Sequence, residues 1–567
     1  MNKKQSAALD RIKFFKDPVL VATVAIVLLL LAVFILYPLL VLLIDSFVVE
    51  GRLSLDVFKR VIAIERLRVA LKNTLCVGII TSIFSTIIGL LFAYVEVYVK
   101  LRSKILEKLF NMVSLLPVVS PPFVLSLSMI CLFGRAGLIT RHILGIYDSN
   151  IYGMWGLVIV QTMTFFPVCY LMLRGLLKNI DPSLEEAARD MGASRFKVFT
   201  TVTFPLLLPG LGNSFLITFI ESAADFANPM LLGGDYDTLA TNIYLQITGA
   251  YDKPGAAAMS VLLLSITLVM FIAQKYYLES KTAATLTGKA TRARMLITEK
   301  SVTIPLATFC GAVAVFVITM YVMVFLGSFF KLWGRDYSLV LKHYEYVFNT
   351  NGPRVLKDSI LLSVIACPIC GVLSMIIAYL AVKKKFMGRA AMEFISLLAM
   401  AVPGTVLGVG YIRGFSNGLF RSGFMSGLYG TAALMVIVFV VRSLPTGTRS
   451  GISALRQIDK SIEESAIDLG ANSTKVFFTV TLPLIKDSFL SGLVTTFVRS
   501  ITAISAVILL CPPNWKLITV QINSLAEKGD YGQACAYSSL LIVVIFIVVA
   551  LMNMFIKHFG SSKYLEE

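Results

Sequence analysis

Charged side chains are scarce in this 567-residue chain, in which Asp, Glu, Lys and Arg together make up only 15% of the sequence. A soluble globular domain carries about 25% charged residues. It does not combine a shortage of charge with a hydrophobic share of 57% and a mean hydropathy of +0.82. The composition therefore excludes a soluble protein and predicts a chain that lies in a membrane.

Histidine and cysteine are also few, and neither forms a recognisable ligand set. His142, His343 and His558 are far apart in sequence, and the eight cysteines are scattered, so they give no disulfide framework. Cys367 and Cys370 form a CxxC pair, but the pair lies inside an apolar run without a second pair, which favours buried packing. We therefore expect no metal site, no cofactor and no catalytic residue in this chain.

Apolar runs of about 20 residues, the length that a helix needs to cross the hydrocarbon of a bilayer, recur along the chain. They are continuously apolar rather than alternating, which argues against transmembrane strands. Helices satisfy their own backbone hydrogen bonds in lipid, so the predicted fold class is all-α, a polytopic membrane protein with about 12 transmembrane helices. The predicted spans are 19–44, 74–95, 110–133, 151–173, 211–232, 256–274, 303–326, 359–382, 394–412, 428–441, 489–510 and 535–556.

Basic residues outnumber acidic ones, 51 to 33, which gives a net charge of +18. In a membrane protein the distribution of Lys and Arg among the loops predicts the orientation of the chain, so the excess is first examined for orientation and not for nucleic-acid binding. Most Lys and Arg fall in segments that are cytoplasmic if both termini are inside, and the basic loop 45–73 is the exception. The first apolar run follows a positive segment but is too long for a signal peptide, so we expect a retained anchor helix.

Two halves of six spans each are predicted, 1–278 and 303–567, joined by a cytoplasmic linker at 279–302 that is rich in Thr, Ala, Lys and Arg. Because each half has an even number of spans, both enter the membrane in the same direction, and an axis along the membrane normal relates them. The triplet Ser114-Leu115-Leu116 returns as Ser396-Leu397-Leu398. The halves are therefore two parallel six-helix repeats of one duplicated domain.

Three prolines interrupt the third predicted span. Pro117, Pro121 and Pro122 break the ladder of helix hydrogen bonds, and unpaired carbonyls at membrane depth are tolerated only against protein or water. The helix is predicted to bend there, either along an internal pathway or as a kink that improves packing.

The clearest repeat is a polar, charged segment that begins at Asp181 and returns at Asp459, 278 residues later (459 minus 181). In each copy a serine and a glutamate three residues on fit the S-x-x-E capping box, which predicts a short helix. A glycine then supplies a turn, and a second short amphipathic piece follows. These residues are Ser183, Glu186 and Gly192 in the first copy and Ser461, Glu464 and Gly470 in the second.

Both segments resemble the EAA motif of ATP-binding-cassette importer permeases, whose pattern is EAA, three residues, Gly, nine residues, Ile-x-Leu-Pro. The first copy reads Glu186-Ala187-Ala188, Gly192 and Val202-x-Phe204-Pro205, and the second reads Glu464-Ser465-Ala466, Gly470 and Val480-x-Leu482-Pro483. Ser465 departs from the EAA triplet. Residues 181–210 are called the first EAA loop and residues 459–488 the second EAA loop below.

The resemblance implies type I, MetI-like permease domains in a bacterial cytoplasmic (inner) membrane, with both EAA loops on the cytoplasmic side. In that family the motif forms a coupling helix that sits in a groove of an ATPase. The implied partners are two copies of a cytoplasmic ABC ATPase subunit and an external solute-binding protein. The implied ATPase-coupling residues are Glu185, Glu186, Ala187, Ala188, Gly192, Glu463, Glu464, Ser465, Ala466 and Gly470.

The sequence lacks the GxxxxGK[ST] phosphate loop of ATPases. We therefore expect that the chain is not an enzyme. ATP and magnesium would be used by the separate ATPase subunit.

Three ionisable residues lie within predicted spans: Glu221, Asp225 and Arg499. Each costs about 2.5–3.5 kcal/mol at a helix centre on insertion scales, so each is expected to face a partner or a water-filled cavity. Glu221 and Arg499 occupy equivalent positions in the two halves and are predicted to form a gate or substrate-contact pair on the translocation pathway. Asp225, one turn on, would add an acceptor on the same face. In the alternative, the residues pair with neighbours only to hold helices together.

The last two spans of each half, including the ADFANPMLL segment after Ala224, resemble fused permeases of iron(III) importers, which predicts iron(III) as the cargo. Fused permeases for thiamine, phosphonate or sugar phosphate look similar and stay open as alternatives. A secondary transporter driven by an ion gradient is the alternative from another class, with Glu221 and Asp225 as proton or cation sites. The two EAA copies argue against it.

Overall fold

The computed structural model describes residues 18–49, 51–101, 103–278, 294–417, 426–471 and 473–560. The basic segment before the first span and residues 279–293 of the predicted linker lie outside the described residues. Within the described ranges the secondary structure is helical apart from two short antiparallel hairpins. The predicted all-α class is confirmed.

The elements are labelled in chain order. Up to residue 278 they are α1 (Pro18–Phe47), β1 (Val48–Val49), β2 (Arg52–Leu53), α2 (Asp56–Ala63), α3 (Glu65–Tyr98), α4 (Lys104–Val119), α5 (Phe123–Phe133), α6 (Met154–Asn179), α7 (Pro182–Asp190), α8 (Phe204–Ala223), α9 (Ala227–Leu232), α10 (Leu239–Thr248) and α11 (Lys253–Leu278). After it they are α12 (Lys300–Gly327), β3 (Phe330–Leu332), β4 (Asp336–Leu339), α13 (Lys342–Asn349), α14 (Gly352–Lys383), α15 (Arg389–Leu398), α16 (Gly404–Asn417), α17 (Ala432–Gln457), α18 (Lys460–Asp468), α19 (Leu482–Ile501), α20 (Val507–Leu510), α21 (Ile518–Glu527) and α22 (Tyr531–Gly560).

Ten helices in the described part of the chain are long and apolar enough to cross a membrane. The span predicted at 428–441 is longer than expected, because α17 continues through Pro445 to Gln457. The spans predicted at 394–412 and 489–510 are each divided between two shorter helices.

Two of the breaks between helices coincide with prolines. Ser120 to Pro122 separate α4 from α5, as the prolines of the third span predict, and Pro403 precedes α16. Gly404 is needed at that point because a Cβ there would lie 1.9 Å from the Ser505 hydroxyl oxygen. The broken helices are therefore packed against protein, where free backbone groups are tolerated.

The chain forms two compact units that do not coincide with its sequence halves. Unit A contains Leu55–Gly352 and Gln521–Ile542, and unit B contains Met1–Ser54, Pro353–Val520 and Val543–Glu567. The first long helix of each half, α1 or α12, thus belongs to the unit that is built mainly from the other half. The predicted domain boundaries, 1–278 and 303–567, follow sequence repetition and stay a prediction.

In unit B, α1 is fastened to α16 by tyrosines that reach backbone carbonyls. The Tyr37 hydroxyl donates to the Gly414 carbonyl at 2.9 Å, and the Tyr411 hydroxyl donates to the Phe34 carbonyl at 2.7 Å. The Phe415 ring packs against the rings of Phe34 and Tyr37, with centroids about 6 Å apart. At membrane depth no water is available to the tyrosine hydroxyl, so a hydrogen bond to a helix carbonyl satisfies it.

In unit A, α12 presents one face to α4 and α5. Cys310, Ala314, Val317 and Tyr321 are buried at spacings of three and four residues, which is one stripe of an α-helix. The Tyr321 and Ser120 hydroxyls form a hydrogen bond just beyond the end of α4. Small residues along this stripe let the helices approach closely.

We expect Asp45→Ala to lower the apparent melting temperature of the detergent-solubilised chain. Asp45 pairs with the Arg413 guanidinium, and both side chains are about one-fifth exposed, so removing the carboxylate leaves a largely buried cation at a cost of about 1–3 kcal/mol. Lys59→Ala is the control, because its ion pair with Asp56 is more than 70% exposed on both sides and contributes little. Equal melting temperatures for the two variants would contradict the expectation.

Candidate functional site

Each EAA loop begins with a short helix that an aspartate caps. The Asp181 carboxylate accepts from the backbone N–H of Ser183 at 3.0 Å, and Asp459 accepts from Ser461 at 3.0 Å. The predicted capping box, with serine as the cap, is wrong. In the first loop Asp181, not Ser183, is the N-cap, because Pro182 has a fixed φ and no N–H and occupies the first helical position.

A glycine ends each of these helices. Gly192 has a φ of +85° and Gly470 a φ of +88°, a left-handed conformation that glycine enters without a Cβ clash. A second short helix follows at Arg195–Val198 in the first loop and at Ser473–Val476 in the second. The predicted order of helix, glycine turn and second helix is confirmed.

Glu185 is the buried carboxylate of the first EAA loop. The Tyr98 hydroxyl donates to its Oε1 at 2.6 Å and the Thr203 hydroxyl donates to the same atom at 2.7 Å. Arg294 Nε lies 3.5 Å from Oε2, close enough for an ion pair but not aligned as a hydrogen bond. A buried carboxylate requires such partners, so Glu185 joins α7 to the end of α3, the start of α8 and the chain at residue 294.

Glu463 has the same position and a similar role in the second EAA loop. The Thr481 hydroxyl donates to its Oε1 at 2.9 Å, and Lys383 Nζ lies 2.9 Å from its Oε2. Glu463 and Thr481 each lie 278 residues after Glu185 and Thr203. The two loops therefore share a carboxylate and a threonine but differ in the source of the cation.

The EAA triplets themselves lie closer to the surface than the preceding glutamates. Glu186 and Ala466 are half-buried, Ala188 is buried, and Ala187, Glu464 and Ser465 are exposed. The triplet therefore identifies the correct short helix. The carboxylate that is hydrogen-bonded to neighbouring helices belongs to the residue before the triplet, Glu185 or Glu463.

Large apolar side chains are exposed at equivalent positions of these charged loops. Leu184 and Met191 are 51% and 82% exposed, and their equivalents Ile462 and Leu469 are 46% and 90% exposed. Phe196 adds a 78% exposed ring in the first loop. Apolar side chains that are left in water on both copies of a polar loop indicate a surface that a partner covers.

Sequence reasoning missed the residues that hold the two glutamates. Thr203 and Thr481 carried a usable signal, since the repeat places them at the same spacing from Glu185 and Glu463. The two cations carried none, because Arg294 and Lys383 are not equivalent in the repeat.

Asp225 lies in a buried polar network at the break between α8 and α9. Gln161 and Asn228 donate side-chain N–H groups to its Oδ2 at 2.9 and 2.7 Å. The backbone N–H groups of Ala227 and Asn228 donate to Oδ1 at 3.1 and 3.4 Å. Asp225 therefore satisfies the amides that the break exposes. Its expected place on the same helical face as Glu221 is wrong, because α8 ends at Ala223.

Glu221 and Arg499 occupy equivalent positions on α8 and α19. Glu221 is half-buried in unit A and Arg499 is exposed in unit B. Thr218 and Thr496, one turn earlier on each helix, are both buried. The predicted pairing of Glu221 with Arg499 stays a prediction.

The second copy does not repeat the Asp225 network. Phe439 stands where the first copy has Gln161, and Ala503 stands where it has Asp225. The buried hydroxyls of Ser363 and Ser500, which adjoin these positions in unit B, have no hydrogen-bond partner among the described residues. The break in the fifth helix of the repeat is thus stabilised around a carboxylate in the first copy, whereas in the second copy the Thr519 hydroxyl donates to the Ala503 carbonyl at 2.8 Å.

A cavity of about 630 Å³ lies at the other end of unit A from the first EAA loop. The helix α6 starts beside it and ends 26 residues later next to that loop, a length of about 39 Å. The Arg135 guanidinium lies over the Tyr152 ring at 5.8 Å. The other side chains of the lining include Asn150, Asp235, Tyr236, Trp333 and Tyr531.

Comparison with known families finds one match in each half of the chain. Residues 85–282 and 371–562 both match the family described as the binding-protein-dependent transport system inner membrane component. Each matched region contains one EAA loop and its anchored glutamate.

Individual relatives match over different lengths. The chain is 35% identical to the ferric transport system permease protein FbpB of Actinobacillus pleuropneumoniae over 94% of this chain and 78% of that protein. It is 22% identical to the Fe(3+)-transport system permease protein FbpB 2 of Haemophilus influenzae, over 70% of this chain and 76% of that protein. The molybdenum transport system permease protein ModB of Escherichia coli is 27% identical over 36% of this chain and 90% of its own length.

We expect Glu185→Ala to loosen α7, whereas Glu186→Ala has little effect. Without the Glu185 carboxylate the Tyr98 and Thr203 hydroxyls lose their acceptor and Arg294 loses its counter-ion, which costs about 1–3 kcal/mol. Hydrogen–deuterium exchange of the amides in 182–190 measures the difference, because local opening speeds exchange. Equal exchange in the two variants would show that the buried carboxylate does not hold the helix.

Proposed function

This chain belongs to the family of binding-protein-dependent transport system inner membrane components, and from this we propose that it is the permease subunit of an ATP-binding-cassette importer for iron(III). The family makes it a multi-pass inner-membrane protein and a transport component rather than an enzyme. The observation that supports the mechanism is the pair of EAA loops, each with an anchored glutamate and exposed apolar side chains.

Iron(III) as cargo is supported by the relatives that align with most of the chain. The relative at 35% identity over 94% of the chain is named a ferric permease. The molybdenum permease aligns with only 36% of this chain, as expected for a shared domain rather than a shared cargo. Phosphonate, sugar phosphate, thiamine or another small anion is the alternative cargo class.

An ATPase partner is proposed to dock on the two EAA loops, one ATPase subunit on each. Leu184 and Met191 in the first loop, with Ile462 and Leu469 in the second, would lose water on docking, which is the main favourable term in association. Because Glu185 and Glu463 fasten each short helix to neighbouring helices, a push on the helix moves those helices as well. ATP and magnesium belong to the ATPase, since this sequence has no phosphate loop.

The same assignment sets the orientation. With the EAA loops in the cytoplasm, both termini are cytoplasmic, and the cavity at the far end of α6 opens to the outside. Its aromatic side chains and Arg135 suit contact with a protein surface, because aromatic residues and arginine are enriched at interfaces. We therefore place the solute-binding protein on that side.

The translocation pathway is proposed to include Glu221, Asp225 and Arg499. This rests on the place of Glu221 and Arg499 in apolar helices and of Asp225 at the break that follows α8, since ionisable residues at membrane depth mark pathways and gates. Asp225 contributes by accepting hydrogen bonds from the backbone amides of Ala227 and Asn228 at the break between α8 and α9.

Reconstituted transport tests the proposed cargo and energy source. We expect proteoliposomes that contain the chain, its ATPase subunit and its binding protein to move radioactive iron(III) only when ATP is present on the side of the EAA loops. Excess molybdate and sulfate should leave the rate unchanged. Uptake that persists without ATP in an imposed ion gradient would instead indicate a secondary transporter, and inhibition by molybdate would reassign the cargo.

Charge exchange tests the pathway residues. If Glu221 and Arg499 act as a pair, Glu221→Arg and Arg499→Glu each lower uptake and the double variant recovers at least part of it, because the double variant restores opposite charges. Recovery is measured as uptake per ATPase bound, so that losses in assembly are removed. No recovery in the double variant would rule out direct pairing.

A further inference from the structure

The chain between the two halves returns to the first EAA loop before it enters the membrane again. Residues 294–299, called the linker strap here, run beside the end of α3. The Ile297 N–H donates to the Tyr98 carbonyl at 2.7 Å, and the Lys100 N–H donates to the Ile297 carbonyl at 3.0 Å. The strap is therefore held by backbone hydrogen bonds as well as by side chains.

Arg294 joins the strap to the end of α6 and to the first short helix, α7. Its guanidinium donates to the carbonyls of Leu177 and Ile180 at 2.8 and 2.7 Å, at the point where α6 ends. It also pairs with Glu185 and lies 4.3 Å from the centroid of the Tyr98 ring. The last carbonyls of a helix have no partner within it, and a planar guanidinium reaches two of them at once in a way that an ammonium does not.

The other end of the strap makes a second tie. Glu299 Oε1 lies 2.9 Å from Arg195, in the second short helix of the first EAA loop. Glu299 is also the residue that precedes α12. The strap thus connects both short helices of the loop directly to the first long helix of the second half.

In the second EAA loop the cation comes from a different part of the chain. Its glutamate, Glu463, takes its cation from Lys383 at the end of α14. The repeat places Lys383 at position 101 of the first half (383 minus 282, the spacing of Ser114 and Ser396), which is a leucine. In the first copy the cation comes from the linker instead of from the preceding long helix.

We propose that Arg294 is a positioning residue for the first coupling helix, and that through it the linker strap transmits movement of the first EAA loop to α12. The proposal rests on the proposed function of that loop as an ATPase docking site. On this proposal the linker transmits movement from the coupling helix, in addition to joining the two permease domains covalently. The proposal also distinguishes the two EAA loops by the source of the cation at the anchored glutamate, which is the linker for Glu185 and the end of α14 for Glu463.

The first experiment compares local opening of the two loops in the full-length chain in lipid nanodiscs. We expect Arg294→Gln to speed amide hydrogen exchange in 182–190 about tenfold, without changing exchange in 460–468. Lys383→Gln is the matched control and should do the reverse. If Arg294→Gln leaves α7 unchanged or loosens both loops equally, the proposed tie is wrong.

A conservative variant separates charge from the two-carbonyl bridge. Arg294→Lys keeps a cation near Glu185 but cannot reach the carbonyls of Leu177 and Ile180 together. We expect its exchange in 182–190 to lie between those of the wild type and Arg294→Gln. An Arg294→Lys chain that matches the wild type would show that charge alone suffices, and the bridge would be discarded.

The second experiment measures transmission in the complete complex with Mg-ATP and the ATPase subunit. We expect Arg294→Gln to lower the kcat of ATP hydrolysis about fivefold and to leave the KM for ATP within about twofold, because the nucleotide site is on the other subunit. An unchanged kcat would overturn transmission through the strap. Failure of the wild-type chain to bind the ATPase would instead overturn the proposed function, and the exchange results on the chain alone would still decide the tie.

Discussion

The structure depends on one constraint: a backbone that crosses hydrocarbon has no water to bond, so every interruption of a helix must be satisfied by protein. Long helices such as α3 and α6 meet the constraint with their own ladders. Where the chain breaks, side chains take over, as Asp225 does for the amides of Ala227 and Asn228. At the end of α6, beside the first EAA loop, the Arg294 guanidinium likewise donates to carbonyls that have no partner within the helix.

Duplication allowed the two copies to meet this constraint in different ways. The scaffold of each EAA loop is the same, a capped helix, a left-handed glycine and a glutamate bonded to a threonine. The surroundings have diverged, so that a buried carboxylate in the first copy is matched by Ala503 in the second. A homodimeric transporter cannot make this change, because one gene would alter both halves. A fused chain can keep the coupling geometry and let each half specialise.

Much of the fold followed from the sequence because its signals are local. Apolar length predicted the long helices, the prolines predicted a bend in the third span where the structure has a break, and the repeat predicted two equivalent loops. The sequence pattern could not show that the spans predicted at 394–412 and 489–510 are each divided into two helices. A short break without charged residues leaves the mean hydropathy of the span high. Arg294 and Lys383 were missed for a different reason. A cation that is supplied from a distant or non-equivalent position leaves no periodic signal, and only the folded chain brings it to Glu185 or Glu463.

The helix α1 belongs to the unit that is built mainly from the second half of the chain, and this has a consequence for the synthesis of the protein. The segment α1 is synthesised before its partner α16, which lies more than 350 residues further along the chain (404 minus 47). At a synthesis rate of about 5–20 residues per second, α1 waits roughly 20–70 s for that partner. During this time the Tyr37 hydroxyl and the Asp45 carboxylate lack their final partners at or near the bilayer. During its synthesis the chain therefore passes through a stage in which these polar groups carry the cost of unsatisfied groups in lipid.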